Sequence, residues 1–264
     1  MEVVEIIAAI EKIAPLRLAA PWDHSGVQVA AFRESAGKVA VLLDPTLEGL
    51  RAAVADGAEF ILTHHPLSMQ PVFPDKADDH LAVLQLLLSH NIPLYSAHTS
   101  LDASPRGPAA WAAEALGLSD LRVLEPTGEE NGRTVGFGFV GELAEPLEYE
   151  KFCRMLAEIL GVDSWQVCGP RPERVGRVAC CPGSGSSLAG EAAKAEADVL
   201  ITGDVKYHAA LDAGIRILDV GHFCLEEEMM RRFAAQLQII LPVPVVFWPG
   251  RNPLALERAE RCGA

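Results

Sequence analysis

Two stretches of this 264-residue chain share one spacing: His98-Thr-Ser-Leu-Asp102 and His222-Phe-Cys-Leu-Glu226. Each sets a carboxylate four residues after a histidine, about one helical turn, so a helix starting at the histidine stacks both side chains on one face. Each also follows a short apolar run that reads as a strand. An imidazole and a carboxylate converging at a strand-to-helix junction commonly hold a hard or borderline divalent cation. His64-His65 closes a third such run, Glu59-Phe-Ile-Leu-Thr63. Histidine and carboxylate groups at three strand ends make a metal site the leading reading.

The elements that must carry these groups repeat. Residues 39–65 shifted by 139 positions fall on 178–204 without a gap, so that Ile61-Leu62-Thr63 meets Leu200-Ile201-Thr202. A second offset of 124 lays Leu94-Tyr-Ser-Ala-His98 on Leu218-Asp-Val-Gly-His222, with Leu101-Asp102 on Leu225-Glu226. Similarity at fixed offsets argues for two structurally alike halves; chance matching among abundant Ala, Leu and Val is the alternative. Hydrophobic period and turn residues predict strands over 38–43, 59–63 and 93–97 with helices over 2–13, 46–56, 78–90 and 107–116. In the second half they predict strands over 175–181, 198–202, 215–220 and 243–247, with helices over 186–196, 205–213 and 223–237. Alternating strands and helices mean βαβ units, mainly parallel sheets flanked by helices, and functional loops at the carboxyl ends of the strands. The fold class is therefore α/β in two similar halves. Residues 1–120 form the first and carry His64, His65, His98 and Asp102. Residues 121–264 form the second and carry Asp204, His208, His222 and Glu226. Within it, 121–174 reads as a strand–helix–strand extension (134–143, 147–160, 165–167) flanked by turn-rich segments such as 125–132.

Composition narrows the function classes. Thirty-six acids against 22 bases give a net charge of −14, which repels phosphate backbones and argues against nucleic acid as a partner. The acidic, amphipathic start Met1-Glu-Val-Val-Glu-Ile-Ile is wrong for a signal or transit peptide. The longest apolar stretch, 239–248, is short and broken by Pro242 and Pro244, which excludes it as a membrane span. Six cysteines without a C-x-x-C pair read as small hydrophobes in a reducing cytoplasm. Among them, Cys224 alone sits near the chemistry.

Several strings together resemble the Nif-three-like family, often labelled GTP cyclohydrolase 1 type 2 homologues. They are Trp22-Asp-His-Ser-Gly-Val-Gln28, Leu62-Thr-His-His-Pro-Leu67, Ser96-Ala-His-Thr-Ser-Leu-Asp102, Ile201-Thr-Gly-Asp-Val-Lys-Tyr-His208 and Asp219-Val-Gly-His-Phe-Cys-Leu-Glu226. The resemblance spans about residues 1–250 and is to the short form, which has no inserted domain between the halves. It implies two similar α/β halves, a dinuclear metal centre between them and a ring-shaped homohexamer. The family's ligands carry over to His64, His65, Asp102, His222 and Glu226. His24 and Ser100 stand where the family pattern has Asn.

Three imidazoles and two carboxylates suffice for two ions if a carboxylate bridges and water completes the shells. With no thiolate among them, these ligands suit Zn, Mn, Fe, Co or Ni. Two such ions about 3.5–4 Å apart lower the pKa of bound water from about 15.7 to near 7. They also leave a positive spot in an acidic protein, which favours an anionic small-molecule substrate. His98, the counterpart of His222 in the repeat, reads as a proton-transfer or substrate-orienting group, or equally as a structural histidine. Lys206 and His208 are candidates to neutralise a substrate anion, or to tie their loop together. In Pro182-Gly-Ser-Gly-Ser-Ser187, the backbone N–H groups of Gly183, Gly185 and Ser186 are candidates for an anion cradle, against the alternative of a tight turn. Asp44 and Asp204 read as loop groups or as supports for the ligands. The functional expectation is a dinuclear-metal-dependent hydrolase of a nucleotide or phosphorylated small molecule. A non-enzymatic metal-binding, metal-delivery or protein-interaction protein is the alternative.

Overall fold

Burial on both faces is what the apolar strands of this chain require, and a layered arrangement of two sheets supplies it. The structure, a computed structural model, describes residues 1–104, 108–255 and 257. Gly107, where the helix over 107–116 is read to begin, and residues 256 and 258–264 of the second half lie outside the described residues.

In chain order the first elements are α1 (Val3–Ile13), β1 (Gly26–Val29), β2 (Val39–Leu42), α2 (Leu47–Ala55) and β3 (Phe60–Thr63). They are followed by α3 (Asp79–Ser89), β4 (Leu94–Ser96), α4 (Thr99–Asp102) and α5 (Trp111–Leu116). Capping agrees with the sequence signals: Thr46 Oγ1 accepts from Gly49 N at the start of α2, and Asp78 caps α3 through Leu81 N. The strand order of the first sheet is β1-β4-β3-β2 and then β11 (Val245–Phe247). Its pairings are parallel except that of β1 with β4. The sequence reading does not predict β1, and it groups 243–247 with the second half, whereas β11 pairs with β2 in the first sheet.

The second sheet contains β5 (Ser119–Glu130), β6 (Arg133–Glu148), β7 (Gln166–Cys168), β8 (Arg174–Cys180), β9 (Val199–Thr202) and β10 (Arg216–Asp219), in the order β5-β6-β8-β9-β10-β7. Helices α6 (Tyr149–Leu160), α7 (Ala189–Lys194), α8 (Tyr207–Leu211) and α9 (His222–Ile240) complete the fold. This sheet corrects the expectation of mainly parallel strands. Only β8-β9 and β9-β10 are parallel, because the extension adds an antiparallel hairpin on one edge and β7 on the other. Segment 125–132 is likewise a strand end and a turn. Pro126 and Gly128 are absorbed where the register shifts, and Asn131-Gly132, with φ of 50° and 72°, makes a two-residue turn of the kind that matches strand twist.

Successive residues of each central strand face different cores. Val39 and Val41 of β2 pack with Val178, Val199 and Ile201 of the second sheet, between the sheets, where α1, α5, α6 and α9 also bury their apolar sides. Ala40 and Leu42 pack outward under α2 and α3, and Ala179 and Leu200 outward under α7. Helix α9 contributes Leu225, Met229, Met230, Phe233 and Leu237 to the central layer, each worth about 1.5–3 kcal/mol of burial. Trp111 Nε1 donates to Leu225 O at 2.9 Å, which fixes the first turn of α9 against the first half. Among the described residues no helix is long and apolar enough to cross a membrane.

Candidate metal centre

The parallel strands end on one side of the molecule, and the polar groups singled out in the sequence follow those ends. His64 and His65 leave β3 with their backbone N–H groups still bonded to Leu43 O at 3.1 and 3.0 Å, so the ladder that holds the strand also orients them. His98 follows β4, and Asp102 closes the four-residue α4. His222 opens α9, one residue earlier than the sequence predicts, and Glu226 lies one turn on. Glu226 Oε2 is 2.7 Å from His222 Nε2.

Each histidine is tied at Nδ1 to an acceptor. His64 Nδ1 donates to Ala97 O at 2.9 Å, His65 Nδ1 to Asp44 Oδ1 at 2.7 Å and His222 Nδ1 to Asp204 Oδ2 at 2.7 Å. A proton on Nδ1 leaves the Nε2 lone pair as the only one available, and these atoms converge. His65 Nε2 is 3.3 Å from His222 Nε2 and 3.1 Å from Glu226 Oε2. Donor atoms roughly 3.3 Å apart are what a tetrahedral ion with bonds of about 2.0–2.1 Å spaces them to. His64 Nε2 lies 3.6 Å from Glu226 Oε1 and 3.8 Å from Asp102 Oδ1. Glu226 thus turns one oxygen to His64 and the other to His65 and His222.

A fit to a cation can be tested on the unsatisfied atoms. His64 Nε2 and Asp102 Oδ1 are buried without a hydrogen-bond partner, an arrangement costing about 1–3 kcal/mol per group unless something else binds there. Among the described residues, two clusters place ligand atoms within 4.8 Å of one another: His64, His65 and His98, and His65, His222 and Glu226. These donors fit a divalent metal. The structure therefore brings His64, His65, Asp102, His222 and Glu226 together, and it brings His98 into range of the same centre.

The electrostatics follow from crowding. Burial lowers the His65 pKa, but Asp44 and Glu226 outweigh it and push it up to about 10. His222 likewise, against burial, is raised to about 9 by Glu226 and Asp204. His64 is raised by Asp102 and Glu226 against its complete burial. Burial lifts Asp102, whereas in Glu226 the pull of the three imidazoles overcomes burial and keeps the carboxyl well below the usual range.

His98 is oriented by Asp23, which the sequence presents only within Trp22-Asp-His-Ser-Gly-Val-Gln28. Asp23 Oδ1 accepts from His98 Nδ1 at 2.7 Å and from His24 N at 2.7 Å, and Oδ2 accepts from Ser25 Oγ, Thr99 Oγ1 and Thr99 N. Burial favours the neutral acid, but these donors win and hold the carboxyl far below the ordinary range. The only signal for this role in the sequence is the unusual cluster Trp22-Asp-His-Ser25.

Lys206 and His208 are exposed, the latter edge-on to Tyr207. Gly185 N donates to Thr202 Oγ1 at 2.8 Å, so that N–H is already committed, and Ser186 begins a short 3-10 turn. Gly183, at φ +68°, packs directly on the Glu226 carboxylate. A cavity of about 970 Å³ opens beside the centre, with His98, Asp102, His222 and Glu226 on its floor and the β5–β6 hairpin as one wall.

The chain as a whole is similar to known proteins. The model of the family described as Duf34/NIF3 (NGG1p interacting factor 3) matches residues 1–253. A Clostridium perfringens protein named GTP cyclohydrolase 1 type 2 homolog is 32% identical over 251 residues, covering 94% of this chain and 95% of that protein. A Bacillus cereus protein related to NIF3 shares the fold with a TM-score of 0.88 at 23% identity, over 97% of this chain and 99% of its own. Reduced HcgD from Methanocaldococcus jannaschii superposes with a TM-score of 0.80 at 28% identity, over 94% and 98% of the two chains.

Proposed function

Because the chain belongs to the Duf34/NIF3 family, we propose that it is a dinuclear-metal-dependent hydrolase acting on a nucleotide or another phosphorylated small molecule. One observation carries this reading: the two oxygens of Glu226 face different histidine groups, Oε1 towards His64 and Oε2 towards His65 and His222. Glu226 would then be shared between one ion held by His64 and Asp102 and another held by His65 and His222. When bound, two divalent ions supply Lewis acidity and an activated water. The protein's own groups set the rest. Asp44 and Asp204 hold His65 and His222 with Nε2 inward, which preserves the ligand tautomer. Asp23 holds His98 on the floor of the cavity, where it can orient a substrate. The name of the Clostridium perfringens relative supports the nucleotide part of the reading.

The same reading includes an internal duplication, a homohexamer and a cytoplasmic location. Duplication is supported by register: Val39 lies opposite Phe60 in the first sheet, and Val178 opposite Val199 in the second, each pair displaced by 139 positions. The hexamer rests on the family resemblance, and the location on the free cysteines among the described residues. A second reading, a metal protein that acts through partner proteins, draws on the words "interacting factor" in the family's description.

Turnover separates the two. Metal-loaded protein screened against nucleotides and phosphate esters should hydrolyse at least one class, with activity abolished in His64→Ala and Glu226→Ala. Stoichiometric metal with no turnover across a broad panel overturns the hydrolase and leaves the partner reading.

A further inference from the structure

The cavity beside the centre contains a large aromatic side chain that no ligand role yet explains. Trp22 is 61% exposed and lines a half-open cavity, so its indole is turned to solvent within reach of the centre. Its backbone is fixed by its neighbour: Asp23 N donates to Ala20 O at 2.9 Å, and the Asp23 carboxylate collects the donors of Ser25, His98 and Thr99. An indole that remains wet while its segment is anchored on both sides is held in place for something other than the core. It stands edge-on to His98, with ring centres 6.1 Å apart and planes at 75°. The His98 ring centre is in turn 5.1 Å from that of His64. Two ring-to-ring steps therefore join the indole to the metal-binding cluster, and Phe137 of β6 lines the same cavity from the second sheet.

From these placements we infer that Trp22 is a stacking platform for a planar aromatic or heteroaromatic ring on the substrate, whose anionic group is drawn to the centre below. The inference rests on the anionic-substrate reading above and adds the chemistry of the other end. A cavity of this volume falls at the upper end of ordinary small-molecule sites, large enough for a ring and an anionic group together. Offset stacking on an indole favours flat π-systems over saturated rings of equal size, because the interaction depends on ring quadrupoles as well as on buried area.

Three probes isolate this effect: inorganic phosphate, phenyl phosphate and cyclohexyl phosphate, each titrated calorimetrically into the metal-loaded protein. Phenyl phosphate should bind about three- to ten-fold more tightly than cyclohexyl phosphate. Trp22→Ala should erase that preference while leaving metal content and the affinity for inorganic phosphate in place, and Trp22→Phe should keep most of it. Equal binding of the two esters, a preference that survives in Trp22→Ala, or a change in oligomeric state as the sole effect of the variant overturns the assignment. Failure of all three phosphates to bind removes the anionic-substrate reading itself, whereas loss of the ring preference alone removes only the role of Trp22.

Discussion

Gly183 leaves open the volume into which Glu226 fits: a Cβ at Gly183 would overlap Glu226 Oε1. The loop cannot simply retreat. Gly183 O accepts from Gly203 N at 2.9 Å and from Thr202 Oγ1 at 3.2 Å, which pins it to the end of β9. Gly183→Ala should therefore push the shared carboxylate off the centre. It also places a side chain at φ +68°, at a cost of about 1–2 kcal/mol. Elemental analysis should find substoichiometric metal, and thermal melting should fall. A variant carrying full metal would show that Glu226 has room to spare.

Protons and metal compete for the same nitrogens. With His65 near 10 and His222 near 9, the metal-free centre is protonated at neutral pH. Their folded pKa values lie above the unfolded value of about 6.5. Their contribution to stability is thus fully present below pH 6.5 and fades as pH rises towards 9 and 10. Metal-free protein should lose stability over that window, whereas metal affinity should rise across it. Calorimetric binding at pH 7 in buffers of different ionisation enthalpy should reveal proton release. No dependence on buffer would contradict the raised values.

Asp44 and Asp204 never reach the converging atoms, yet they decide which nitrogen faces them. Asp204 adopts φ +54° to aim its carboxylate at His222 Nδ1, a backbone state that Asp tolerates better than most residues. Asp44→Ala or Asp204→Ala should weaken metal binding by about 10–100-fold. In parallel, imidazole nitrogen shifts should show mixed tautomers at His65 or His222. Unchanged tautomer populations would assign both aspartates to the loops alone.

The sequence discloses the centre more fully than the fold around it. His222 and Glu226 are legible because both lie on one long helix, where a four-residue spacing maps directly to proximity. The His98/Asp102 spacing is less faithful: α4 is a single turn, so His98 turns to Asp23 and Asp102 to His64. No local pattern could reveal a partnership across 75 residues. The β5 strand escapes notice because Pro126 and Gly128 mimic loop composition, and only the pairing with β6 shows that bulges absorb them. β11 is recognised as a strand, but its membership of the first sheet depends on where α9 delivers the chain.

Asp23 offers a test of that long-range partnership that is independent of metal. Its side chain is fully buried and its folded pKa is depressed. A depressed carboxyl contributes stability that is complete above the unfolded pKa of about 3.9 and is lost as pH falls towards the folded value. Asp23→Asn replaces a charged acceptor with an amide whose NH2 must face donors, either those of His24 and His98 or those of Ser25 and Thr99. Hydrogen bonds to a charged group are worth about 1.5–3 kcal/mol, so the variant should be less stable at pH 7 by an amount in that range. The gap should narrow below pH 4, since the wild type then loses what the variant already lacks. Denaturant melts of metal-free wild type and variant between pH 7 and pH 2.5 measure it directly. A gap that stays constant through that range would mean that the network acts by shape rather than by charge, and that His98 is not oriented by the Asp23 anion.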